Sequence, residues 1–170
     1  MRITGGIAKG RVVPSPTDKS VRPTSARVRE AVFSMIGQDL SGSTVLDAFG
    51  GTGLLAAEAW SRGADVTVVE RNRRQAQTIR DTAKRLGAQW TVACGDSVAM
   101  AAALGMFDFV LADPPYALVT ESLVANLSTC VGGTLVLEAD GRVALPDVVG
   151  DLSRLRRKRY GNTSIHVYVR

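Results

Sequence analysis

A chain of 170 residues, 45% hydrophobic and 22% charged, has the composition of a soluble globular protein and the length of one domain with a sizeable core. Its apolar runs are strand-sized and broken by charges or glycines, which excludes a transmembrane helix, and Met1-Arg2-Ile3-Thr4-Gly5-Gly6 lacks the apolar core of a signal peptide. The net charge of +5 is segregated: residues 1–30 alone account for it, with further basic clusters at Arg71–Arg85 and Arg154–Arg159, and such segregation points to a polyanion partner.

In chain order, residues 1–21 are rich in glycine, proline and basic residues, and they predict a short hairpin around Ala8-Lys9. Pro23-Thr24 is a helix start signal. Val28, Ala31, Val32, Met35 and Ile36 then fall at helical spacing, up to a stop at Gly37. From there strands and helices alternate. Strands are predicted over 44–49, 65–70, 89–94, 107–112 and 133–138, with helices over 54–62, 73–86, 97–104 and 118–130 between them. A polar connection leads to a closing antiparallel hairpin, 154–160 and 164–170, around Gly161-Asn162.

This alternation predicts an α/β fold with a doubly wound, largely parallel sheet of seven strands, the last antiparallel. The basic stretch 1–21 is expected as a hairpin extension and 22–170 as the main domain. Cys94 and Cys130 lie in apolar contexts and are expected as small buried hydrophobes in a reducing cytoplasm.

Chemistry concentrates where strands end. Phe107–Ala112 stops at Asp113-Pro114-Pro115-Tyr116, which presents a carboxylate, a carbonyl made rigid by proline and a flat ring. That set suits a planar amino group held from two sides, with its ring stacked on the tyrosine. The first strand ends in Asp47-Ala48-Phe49-Gly50-Gly51-Thr52-Gly53. These glycines permit a tight turn and close approach to a ligand. The spacing fits neither a dinucleotide fingerprint nor a P-loop, and Asp47 would repel phosphate while suiting a cationic amino-acid moiety. Glu70 ends the second strand, where an acid can accept ribose hydroxyls. Asp96, before Ser97, suits an adenine amino group or a helix N-cap. Four consecutive strands thus finish in an acid or a glycine turn at the end where open α/β sheets bind ligands.

On these residues the chain resembles a class I S-adenosylmethionine-dependent methyltransferase with a Rossmann-like sheet. Arg22-Pro23-Thr24, Arg27–Phe33, the Gly5-Gly6…Gly10-Arg11 opening and the Tyr160-Gly161 ending narrow the resemblance to the RsmD family, which methylates the N2 amino group of guanine 966 in 16S ribosomal RNA. Gly50 and Thr52 stand where small residues such as Ala and Ser are common, and both keep the turn small.

The resemblance implies a cytoplasmic, monomeric enzyme that needs no metal and meets 16S rRNA in a small ribosomal subunit or an assembly intermediate. Asp113, Pro114, Pro115 and Tyr116 are implied as catalytic. Asp47, Phe49, Gly50, Gly51, Gly53, Glu70, Arg71, Asp96, Ser97 and Asp113 are implied to hold S-adenosylmethionine and its product S-adenosylhomocysteine. The basic N-terminal segment is the expected RNA-holding surface, through Arg2, Lys9, Arg11 and Lys19, with Arg22 and Arg29 either on RNA or bracing the catalytic loop. The Arg156–Arg159 run is either a solvated guard of an edge strand or a second RNA contact. Adenine-N6 or glutamine-amide methylation, or RNA binding without catalysis, stay open as alternatives. The length leaves little room for a DNA target-recognition region, and Asp113 stands where glutamine methylation more often has Asn.

Overall fold

A computed structural model of the chain describes residues 1–14 and 25–170. The Pro23-Thr24 start signal lies outside the described residues. The first helix, α1 (Ala26–Ile36), is capped by the Ser25 hydroxyl, which accepts from Val28 N, and it stops at Gly37 with φ 118°.

The alternation predicted for the middle of the chain is present. It runs β1 (Thr44–Asp47), α2 (Leu54–Ser61), β2 (Asp65–Glu70), α3 (Arg73–Leu86), β3 (Thr91–Cys94), α4 (Ser97–Met100), β4 (Phe107–Ala112), α5 (Glu121–Ser128) and β5 (Val131–Asp140). The expected helix over 97–104 is α4 followed by a 3₁₀ turn over Ala101–Ala103. The expected start of the next helix at Leu118 is a 3₁₀ turn over Tyr116–Leu118, after which Thr120 caps α5 by accepting from Leu123 N.

Among the described residues the sheet has eight strands rather than seven, in the order β3-β2-β1-β4-β5-β8-β7-β6. The added strand is β6 (Val148–Val149), two residues in the connection read as polar, which pairs antiparallel with the start of β7 (Leu152–Tyr160). β8 (Thr163–Val169) lies antiparallel to both β5 and β7, so the terminal hairpin closes around Gly161-Asn162 as its turn residues predict.

Each sheet face carries its own apolar layer, as a doubly wound sheet requires. Val45, Val66, Val68, Leu111, Val136, Ile165 and Val167 pack under α1 and α2 with Ile79 of α3. On the other face, Leu46, Val110, Leu135, Leu137 and Tyr168 pack against Leu123, Val124 and Leu127 of α5. Cys130 is buried in this second layer. Cys94, expected buried, is exposed, because β3 is the outermost strand of the sheet.

The N-terminal hairpin forms, bridged at Arg2 and Val12, and it packs rather than projects. Ile3, Ala8 and Val13 are buried against Leu54 and Ala57 of α2 and Leu86 of α3. Beneath it lies a polar knot. Glu58 of α2, fully buried, accepts from Arg62 at 2.6 Å, from Arg29 at 3.2 Å and from the Thr4 N–H and hydroxyl. The Arg62 guanidinium also lies 4.2 Å over the Phe33 ring.

Candidate active site

The strand order brings the carboxyl ends of β3, β2, β1 and β4 side by side. Asp96, Glu70, Asp47 and Asp113 therefore stand in a row along one edge, about 15 Å long at the usual strand spacing of about 4.8 Å. The direction of winding reverses between β1 and β4, the topological switch point where such sheets open a crevice.

Asp47 is the electrostatic centre of this row. It is 1% exposed, and its Oδ2 accepts from Ala56 N at 3.2 Å. Its Oδ1 is buried with no hydrogen-bond partner among the described residues. Burial pushes the carboxyl up to about 7, and the nearby charges of Asp113 and Glu70 add to the rise. A buried carboxyl with one orphaned oxygen and two acidic neighbours is complementary to a bound cation.

The glycine turn is shaped by packing as much as by ligand access. Gly50 N donates to Val69 O, and a Cβ on Gly50 would come within 2.6 Å of Val68 Cγ1 and 2.8 Å of Ile79 Cδ1. Gly51 and Gly53 both take positive φ, 52° and 75°. Glu70 braces the turn: Oε2 accepts from Gly51 N at 2.9 Å and Oε1 from Asn72 N at 2.7 Å. A carboxylate has lone pairs beyond these two bonds, so Glu70 keeps capacity for ligand hydroxyls.

The remaining residues expected around a cofactor have distinct roles. Asp96 is exposed and caps α4, its Oδ1 accepting from Val98 N and Ala99 N. Ser97 is buried and donates to the Ala48 carbonyl, tying α4 to the glycine turn. Phe49 is half-buried against the α5 face of the sheet, and Arg71 is exposed.

At the end of β4, Asp113 is half-buried, Pro114 buried, Pro115 exposed and Tyr116 half-buried. Tyr116 begins a 3₁₀ turn, and its hydroxyl reaches Thr163 Oγ1 at 2.8 Å and Glu138 Oε1 at 3.3 Å. Burial raises the phenol above its ordinary value, so the ring is neutral. Glu138 and Thr163 escaped the sequence reading. The available signal was Glu138 itself, an acid inside the apolar run Leu135–Ala139.

The expected RNA-holding residues fare differently. Lys19 and Arg22 lie outside the described residues. Arg29 is not on an RNA surface: it is 4% exposed, its guanidinium held by Glu58 and by the Arg2 carbonyl. Arg11 is exposed, but its guanidinium donates to the Leu86 and Arg85 carbonyls and so caps the C-terminal end of α3. Arg2 donates to Gly10 O, across the hairpin. Lys9 is exposed at the hairpin tip, where Ile7 N meets Ser61 O at the C-terminal end of α2. In βαβ units that end lies at the opposite edge of the sheet from the acids.

Comparison with known proteins accords with this geometry. The family model described as "Conserved hypothetical protein 95" matches residues 1–169. The chain is 34% identical over 183 residues to YlbH of Bacillus subtilis (strain 168), named as a candidate rRNA methyltransferase, covering 99% of this chain and 98% of YlbH. It is 31% identical over 180 residues to Ribosomal RNA small subunit methyltransferase D of Escherichia coli (strain K12), covering all of this chain and 90% of that protein. Among solved structures, yhhF from Escherichia coli, described as a candidate methyltransferase, superposes with a TM-score of 0.87 at 29% identity, over 100% of this chain and 97% of that one. The fold is shared with magnesium protoporphyrin IX methyltransferase from Synechocystis PCC 6803, solved with bound SAM, at a TM-score of 0.68 and 21% identity, over 85% and 78% of the two chains. The chain therefore belongs to the RsmD family of class I S-adenosylmethionine-dependent methyltransferases.

Proposed function

We propose that the protein methylates the exocyclic N2 amino group of a guanine in 16S ribosomal RNA, the counterpart of guanine 966, within a small subunit or its precursor. One observation carries the reading: Asp113-Pro114-Pro115-Tyr116 ends β4 at the switch point, one strand from the orphaned carboxyl of Asp47. The ribosomal RNA methyltransferases among its relatives supply the substrate class.

The residues present fit S-adenosylmethionine. In this reading Asp47 takes its ammonium, Glu70 the ribose hydroxyls and Asp96 the adenine amino group, with the tight turn of Gly50, Gly51 and Gly53 beside it. When bound, the cofactor supplies a methyl group already activated on a sulfonium sulfur. The protein's task is then chiefly positioning. An aromatic amine is a poor nucleophile, because its lone pair is delocalised into the ring. Asp113 and the Pro114 carbonyl accept the two amino hydrogens, which lets the nitrogen pyramidalise and frees its lone pair. Tyr116 stacks on the base, a contact worth about 1–3 kcal/mol. The base reaches this grip by leaving its stack or from a loop.

The deciding experiment is transfer of labelled methyl to small-subunit particles that lack this modification, followed by mapping of the labelled nucleotide. Label on guanine N2 at that site supports the reading. Label on an adenine, or none, overturns it.

A further inference from the structure

The basic run on β7 is sorted by the pleat into two sets. Arg154, Arg157 and Arg159 are engaged: Arg154 pairs with Asp147 and donates to Leu145 O, Arg157 donates to Gly141 O at 2.9 Å and Val143 O at 3.2 Å, and Arg159 donates to Gly161 O. The bonds of Arg154 and Arg157 pin the connection before β6, and that of Arg159 ties the turn of the terminal hairpin. Among the described residues the exposed side chains of Arg156 and Lys158 make no hydrogen bond or ion pair, and Lys158 rests 5.4 Å from the centre of the Tyr160 ring.

Register fixes where this open set points. Arg156 lies opposite Val167, Lys158 opposite Ile165 and Tyr160 opposite Thr163, all on the α1 face of the sheet. A bulge between Arg154 and Arg156 sets this phase, leaving Leu155 outside the pairing. Cations at alternate positions stand about 7 Å apart, and the row climbs toward the carboxyl end of the sheet. It ends beside Thr163, the residue that holds the Tyr116 hydroxyl. The hairpin tip carrying Lys9 lies at the other end of the sheet.

From this geometry we infer that Arg156, Lys158 and Tyr160 form an RNA-docking stripe, which holds the strand flanking the target base as it enters the pocket. The inference rests on the ribosomal RNA reading above. Two unpaired cations in line with an aromatic ring match a polyanion with exposed bases, the pairing of backbone charge and base stacking that single-stranded RNA requires. A guard for the edge strand would need the charges alone.

The test is Arg156→Gln/Lys158→Gln in the full chain, with binding to small-subunit ribosomal RNA followed by fluorescence anisotropy across a salt series. Affinity at fixed salt should fall roughly tenfold, and the slope of log affinity against log salt should fall by about 2. The charge-keeping variant Arg156→Lys/Lys158→Arg should bind like the parent. Arg74→Gln/Lys84→Gln, both exposed on α3, removes the same two charges elsewhere and reports the effect of net charge alone. Affinity and slope equal to the parent's would overturn the stripe, as would a loss that Arg74→Gln/Lys84→Gln reproduces. Binding is read without turnover. Failure of the parent to methylate ribosomal RNA would therefore strike the proposed function, while these arms still report on the surface.

Discussion

The Tyr116 hydroxyl lies 2.8 Å from Thr163 Oγ1, which joins the tetrad after β4 to the turn of the terminal hairpin. Two segments separated by 47 residues thereby fix one ring. Tyr116→Phe keeps the stacking surface and loses the tether, so kcat/KM for RNA should fall about fivefold, whereas Tyr116→Ala should lose about 10- to 100-fold. Thr163→Val should lose no more than Tyr116→Phe, because the hydroxyl keeps Glu138, and the double variant Tyr116→Phe/Thr163→Val should lose no more than Tyr116→Phe alone. Additive losses in steady-state methyl transfer would show that the hydroxyl and Thr163 act independently.

Asp113 is the group whose loss should stop chemistry without emptying the cofactor site. Asp113→Ala should bring methyl transfer to background, while calorimetry still detects S-adenosylmethionine. Asp113 also helps to raise the Asp47 carboxyl, so its removal should let Asp47 ionise at lower pH. Turnover at the parent's rate would remove Asp113 from the mechanism.

Gly50→Ala tests why the turn carries a glycine there. Val68 is β-branched and stiff, so the added Cβ cannot be accommodated by a rotamer change on that side. Overpacking should cost about 1–3 kcal/mol in a urea melt and weaken cofactor binding through displacement of Gly51 from Glu70. An Ala variant with unchanged stability and affinity would mean that the backbone shifts away from Val68 freely and that Ile79 yields as well.

Most of the fold was legible because strand ends and glycine stops coincide with changes of period; β2, α3 and β4 begin and end where apolar pattern and turn residues place them. β6 was not legible, since two valines in a polar stretch carry no period of their own. In the site, the four acids were visible as strand-end residues, and the sheet order set them in line. Side-chain destinations were not visible. Arg29 and Arg11 carry the same charge as an RNA-binding arginine, and only the partners brought by tertiary folding, Glu58 and the end of α3, divert them. Gly50 was legible as a small residue, but its need to lack a Cβ comes from Val68 and Ile79, which lie 18 and 29 residues away.

Glu58 is the residue whose loss should most weaken the attachment of the N-terminal hairpin. Its carboxylate is fully buried and bonded to Arg29, Arg62 and Thr4. Glu58→Gln removes the carboxylate shared by two buried guanidinium groups and should cost about 3–5 kcal/mol. Thermal melting should show the loss, and limited proteolysis should cut first within residues 1–14. A melting temperature within a degree or two of the parent's would show that the arginines find other acceptors.

The pH dependence of stability should be nearly flat in the parent, because two buried groups oppose one another. Asp47 is raised from 3.8 to about 7, chiefly by burial. The folded state therefore binds the extra proton, and this contribution, present below about pH 4, is lost as pH rises through 7. His166, fully buried on β8, is lowered from 6.5 to about 4 by burial, with Arg154 and Arg157 adding to the shift. Arg154 can only donate to Nδ1, so the ring proton is on Nε2 and donates to Ser164 Oγ at 3.0 Å. Here the unfolded state binds the extra proton, and the contribution, present above pH 6.5, is lost as pH falls toward 4. Between about pH 4 and 6.5 the two slopes have opposite sign. Asp47→Asn should leave the histidine alone, so stability rises with pH across that window, by at most about 1.4 kcal/mol per pH unit. His166→Gln should leave the aspartate alone, so stability falls from about pH 4 to 7. Urea melts of the parent and both variants at about pH 4.5, 5.5 and 6.5 read these slopes directly. Three parallel profiles would mean that neither group titrates as its surroundings require, and that Asp47 is not held ready for a cation.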